Sequence, residues 1–190
     1  MNKKNYLLDL NNSKKPFIIY KSDKGFDLYT DFSKKIILNN NNIKKFINKN
    51  NKSRSTHKET DLFIGFFGYE ILNNLIEVKI KKQKTINFPK GIFYKPETKI
   101  KLLNNLEYNK TRLLNANDLF KININKKSYK KIFDKFKKKI KSGETYQIKI
   151  CTKYSNKSEI DALDFFCRLV KSNMAPEAFM IKDKNYSIIS

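Results

Sequence analysis

The chain has 190 residues, 39% of them apolar, which is enough for one core and part of a second and excludes a disordered or fibrous protein. No run approaches the ~18 to 20 apolar residues of a membrane span, and the opening MNKKNYLLDLNNSKK has no apolar signal core, so the chain reads as cytoplasmic with no membrane partner. The net charge of +23 is nearly all Lys spread along the whole chain, Arg54, Arg112 and Arg168 being its only arginines; nucleic-acid readout favours clustered Arg, so no specific nucleic acid is expected.

From Tyr6 to Leu38, the short apolar runs YLLDL, PFIIY, FDLYT and KKIIL are separated by the turn-forming clusters NNSKK, KSDKG and DFSKK. This spacing predicts four antiparallel strands. Ile43, Phe46 and Ile47 then fall on one side of a short amphipathic helix, followed by a polar loop that holds the single histidine, His57. In DLFIGFFGYE, Gly65 and Gly68 interrupt the most apolar stretch, as glycine does where backbones approach closely or a strand exits sharply. FPKGIFYKPETKIKLLNNLEY reads as hairpins with turns at Lys95-Pro96-Glu97 and Asn104-Asn105. The stability of the first layer rests on whether it closes over Phe63, Phe66, Phe67 and Phe93.

After Asn125 the period changes. Tyr129, Ile132, Phe133, Phe136 and Ile140 recur at helical spacing, with Ser128 as a cap and Gly143 as a terminator, and the Lys-rich side reads as the solvated face of a core-packed helix. A strand over ETYQIKICTKY is expected next. A helix capped by Ser158 follows, with Asp161 and Asp164 complementing its positive end. A hairpin of EAFMIK and NYSIIS around Asp183-Lys184 closes the chain. The fold class is α+β: an antiparallel, β-rich, sandwich-like domain over residues 1–125, then the start of an α/β domain over 126–190.

Site chemistry by itself is sparse. There is no P-loop, dinucleotide fingerprint, GxSxG elbow or HExxH. Cys151 and Cys167 lack metal-ligand spacing and read as reduced, partly buried thiols; with one histidine, no Cys/His metal site can be assembled. Asp161 and Asp164 read as dipole partners rather than an acid/base pair, and Glu70 and Glu77, seven apart, read as solvated positions rather than one helix face.

The segment IKSGETYQIKICTKY resembles the opening of the chorismate-binding domain in component I of anthranilate synthase and aminodeoxychorismate synthase. There, a helix ends at I-x-x-G plus an acidic residue and enters a YQVNLS-type strand. Gly143, Glu144, Tyr146 and Gln147 match. LLDL resembles the family's early LLES strand, GFFGYE its G-x-x-G-Y segment, and KSNMAPEAFM its N-P-S-P-Y segment, all in family order.

The resemblance implies binding of chorismate with Mg2+, and amination by ammonia from a glutamine amidotransferase subunit. It implies a chain that stops inside the catalytic domain, with the metal ligands downstream of residue 190 and no chorismate turnover by these residues alone. Hydroxylating relatives, the isochorismate and salicylate synthases, carry a water-activating Lys at the position of Gln147. A neutral amide cannot act as that base, so Gln147, the substrate-proximal candidate, favours amination. Leu10 and Asn173-Met174-Ala175-Pro176-Glu177 align with the tryptophan pocket of anthranilate synthases. Leu10 replaces the pocket serine, Met174 a proline and Glu177 an aromatic residue, which disfavours tryptophan control and leans toward the folate branch. The competing reading from another class is a non-enzymatic basic binding module.

Overall fold

The computed structural model describes residues 3–51, 62–71, 75–76, 88–102, 106, 108, 120–156 and 160–190. His57, Glu77, the Asn104-Asn105 turn and the Ser158 cap lie outside the described residues. In chain order the elements are α1 (Lys3–Asn12), β1 (Phe17–Ser22), β2 (Gly25–Ile37), α2 (Ile43–Asn51), β3 (Ile64–Phe67), a single 3-10 turn (Tyr69–Ile71), β4 (Gly91–Lys101), β5 (Lys121–Ile122), α3 (Lys126–Lys141), β6 (Tyr154–Ser155), α4 (Ala162–Asn173), β7 (Ala178–Lys182) and β8 (Ser187–Ile189). The class is α+β, and the chain divides into two compact units, 1–108 with 162–190, and 109–161.

The larger unit is built on a curled six-stranded antiparallel sheet of order β3-β4-β2-β1-β7-β8. Its strands carry apolar side chains on both faces. On one face, Phe17, Ile19, Phe26, Leu28, Ala178 and Met180 form a core with Leu7 and Leu10 of α1 and with Leu163 and Phe166 of α4. On the face away from Tyr94, Phe93 packs with Leu38, Ile43 and Ile71, so that α2 closes that end. The remaining cluster, Ile18, Tyr29, Ile92, Tyr94 and Ile181 with partly buried Phe32, Phe66 and Tyr186, contains no helical residue. Among the described residues it is the curl of the sheet, and no helix, that covers these side chains.

YLLDL is helical, not extended. Leu7, Leu10 and Asn11 stand at helical spacing and are buried, and Leu is a good helix former without the β-branching that favours strands. FDLYT and KKIIL belong to one 13-residue strand, not two. The polar DFSKK between them forms a β-bulge, with Asp31 at φ 51° and a register shift between Phe32 and Lys34. Pro96 makes no turn either. It lies inside β4 opposite Phe32, where the irregular ladder tolerates a residue without an N–H. Across Pro96 the inward parity of β4 changes, since Ile92 and Tyr94 face one side and Ile100 and Leu102 the other.

Gly65 answers to close approach, as its place in an apolar strand predicts. A Cβ built there would lie 1.9 Å from the Ile92 carbonyl oxygen. Phe93 is buried and Phe63 and Phe66 are partly so, but Phe67 is half exposed.

In the smaller unit, α3 is the expected helix, but its cap is Asn125, whose side chain accepts from the Ser128 N–H at 2.8 Å. None of its residues is buried, so the expected core packing of its apolar stripe is not found among the described residues. The expected strand over 144–154 is likewise corrected. Only Tyr154–Ser155 is extended in a ladder, paired with Lys121–Ile122. The period-two alternation is present at Ile148 and Ile150, but a strand needs a neighbour for its N–H and C=O groups, and no other pairs with it among the described residues.

Candidate functional site

Gln147 follows the C-terminus of α3. The Ser142 and Glu144 N–H groups donate back to the Lys138 and Lys139 carbonyls at 2.9 and 3.0 Å, and Gly143 takes φ +76° between them. That left-handed angle, not crowding, is the reason for glycine, since a Cβ there would meet nothing within 4 Å. Lys139 pairs with the Glu144 carboxylate, and its hydrogen bond and charge hold Glu144 below the ordinary carboxylate range. The Thr145 hydroxyl donates to the Gln147 carbonyl at 3.1 Å. The Gln147 side chain itself is exposed, beside a Tyr146 that is 92% exposed. A neutral amide in this position can donate and accept hydrogen bonds but offers no base for activating water.

The other site candidates lie in the larger unit. Leu10 is buried in the core that also holds Ala178, the residue after Glu177. Asn173 ends α4, and Met174 turns the chain at φ 47°. Proline, locked near −65°, cannot take that angle, so the backbone here excludes proline at position 174. The Lys21 ammonium donates to the carbonyls of Ala175 at 2.5 Å and Pro176 at 3.3 Å, fastening this corner to β1. Partial burial and the facing Glu177 carboxylate raise the Tyr20 phenol above its ordinary value. Nearby, Lys182 donates to both the backbone and side-chain oxygens of Asn11, each at 2.6 Å, while the Asn11 amide donates to the Tyr108 hydroxyl at 3.2 Å.

A third cluster was not legible in the sequence. Asp183, in the β7–β8 connection, accepts from Lys35 of β2 at 2.6 Å, from the Tyr94 hydroxyl of β4, and from the Tyr186 hydroxyl at 3.3 Å; its second oxygen accepts the Lys184 N–H at 2.6 Å. Burial raises the Asp183 carboxyl, but the bonds from Lys35 and Tyr94 outweigh it and leave the group below its ordinary value. Burial and the same carboxylate push the Tyr94 phenol far up. The Asp183-Lys184 pair had signalled only a turn, because its partners are 89 and 148 residues away.

Cys151 is exposed and Cys167 buried, both as free thiols. Among the described residues no group of three or more His, Cys, Asp or Glu side chains is placed to hold a metal ion. None of the described helices is long and apolar enough to cross a membrane.

The profile of the chorismate binding enzyme family matches residues 3–190. The chain belongs to that family. No curated protein matches it.

Proposed function

We propose that the chain forms part of an ammonia-using chorismate synthase of the aminodeoxychorismate synthase component I type, which converts chorismate and glutamine-derived ammonia to 4-amino-4-deoxychorismate for folate synthesis. Membership of the chorismate binding family supplies the substrate class. The observation that carries the finer reading is Gln147 at the position where hydroxylating relatives have lysine. Its amide supports ammonia as nucleophile, because attack by water requires a base and ammonia already carries a free lone pair at the fraction unprotonated.

The reading brings with it a cytoplasmic location, a glutamine amidotransferase subunit as ammonia source, and Mg2+ held by residues outside those described. Anthranilate synthase component I is the second reading, and Leu10, Met174 and Glu177 weigh against it because they remove the polar and aromatic contacts of a tryptophan pocket.

The test is product analysis with the protein translated from its complete reading frame, supplied with chorismate, ammonium and Mg2+. Aminodeoxychorismate is the expected product. Anthranilate would move the assignment to the second reading, and isochorismate would overturn both.

A further inference from the structure

The Asp183 cluster is separate from the residues that carry the proposed function, and it gathers four hydrogen bonds on the face of the sheet that carries Tyr94. In the sheet order, β4 and β7 are separated by β2 and β1. At about 4.8 Å per strand a flat sheet would hold them about 14 Å apart, so a bond between the Tyr94 hydroxyl and Asp183 requires the sheet to curl. Lys35 adds a second tie from β2, its ammonium also lying 5.6 Å from the Tyr94 ring centroid. Tyr186 completes the set, 3.3 Å from the Tyr94 hydroxyl.

A second tier repeats the pattern with aromatic rings. Phe88 stacks on Phe66 of edge strand β3 at 5.5 Å and meets Tyr186, beside the opposite edge strand β8, at 5.1 Å. The two edges of a six-stranded sheet are thereby joined through one phenylalanine. The Asp183 side chain is only 9% exposed, which makes its bonds costly to leave unmade.

We propose that Lys35, Tyr94, Asp183 and Tyr186 form a clasp that holds the curled sheet closed across the face that carries Tyr94, and that breaking it releases β8 and the β7–β8 connection as one unit. The groups facing the carboxylate are Lys35 from β2, Tyr94 from β4, and Tyr186 with the Lys184 N–H from the connection itself. The clasp is a conformational device. Its opening exposes Phe66, Phe88 and Tyr186 together.

Amide hydrogen exchange on the full chain tests this, with Asp183→Asn, Tyr94→Phe and the double variant. Each single change is expected to speed exchange in residues 183–190 about tenfold or more, the scale of a lost hydrogen bond to a charged group, with exchange of α1 and β1 unchanged. The double variant should fall short of the sum of the two single effects, because both weaken the Tyr94–Asp183 contact. Unchanged exchange at 183–190 in Tyr94→Phe, or equal acceleration throughout the sheet, would overturn the proposal. Should Asp183→Asn fail to fold, Tyr94→Phe, which removes one oxygen and keeps the ring, decides alone.

Discussion

Gly65 and Ile92 meet across β3 and β4 with no space for a side chain, a Cβ on Gly65 falling 1.9 Å from the Ile92 carbonyl oxygen. Gly65→Ala must therefore displace backbone, not a pliable side chain. It is expected to destabilise the chain by about 3 kcal/mol, at the upper end of overpacking effects. Urea unfolding followed by circular dichroism measures it, and a loss below about 0.5 kcal/mol would mean that edge strand β3 can drift outward.

Lys182 ties β7 to the C-terminal end of α1 through both oxygens of Asn11. Lys182→Met keeps most of the aliphatic stem and removes the ammonium, which lies 5.8 Å from the Phe17 ring centroid. The buried Asn11 side chain then loses a donor, and a destabilisation of about 1 to 2 kcal/mol is expected. Lys182→Arg should recover part of it. Thermal melts of the three proteins give the comparison.

The Asp183 cluster sets a pH dependence at both ends. The carboxyl is held below its ordinary 3.8, so its contribution is complete above that value and is lost as pH falls through the lower folded value. Tyr94 and Tyr186 are both raised above 10.0, and the unfolded chain therefore releases their protons first. Their contribution is complete below pH 10 and falls as pH rises past it. Stability measured against pH should lose the acid limb of this dependence in Asp183→Asn and weaken at the alkaline limb in Tyr94→Phe.

The two ends of α3 are expected to respond through different physics. Asn125→Ala removes the side-chain acceptor for the Ser128 N–H, costing about 1 kcal/mol of helix stability. Gly143→Ala is strained by its φ of +76°, again by about 1 kcal/mol, although the site has open space around it. Gly143→Asn, which tolerates the left-handed region, should cost less than Gly143→Ala. Helicity at 222 nm across this series separates angle from crowding.

Local signals served where one element decides its own fate. The α2 stripe of Ile43, Phe46 and Ile47, the α3 period and the Asp183-Lys184 hairpin were all readable because their partners lie within a few residues. YLLDL was too short to distinguish period two from period 3.6, and its burial depends on α4 and β7, more than 150 residues on. Alternation at Ile148 and Ile150 predicted a strand, but alternation marks readiness for a ladder and not the presence of a neighbour. Gln147 carried its meaning through family resemblance, since an exposed amide has no chemical signature of its own. Asp183 was silent because its partners are brought to it only by the curl of the sheet.

The bulge between Phe32 and Lys34 gives the polar DFSKK segment a role that its composition conceals. Such segments ordinarily accept insertions and deletions, because a surface loop has no phase to keep. Here each residue is part of a count, since Lys35 reaches Asp183 only if β2 arrives there in step with β4. Loss of one residue would turn Lys35 to the opposite face and carry Ile36 out of its place beside Phe93. Chain length between Asp31 and Lys35 is thus constrained more tightly than the identity of the residues that fill it.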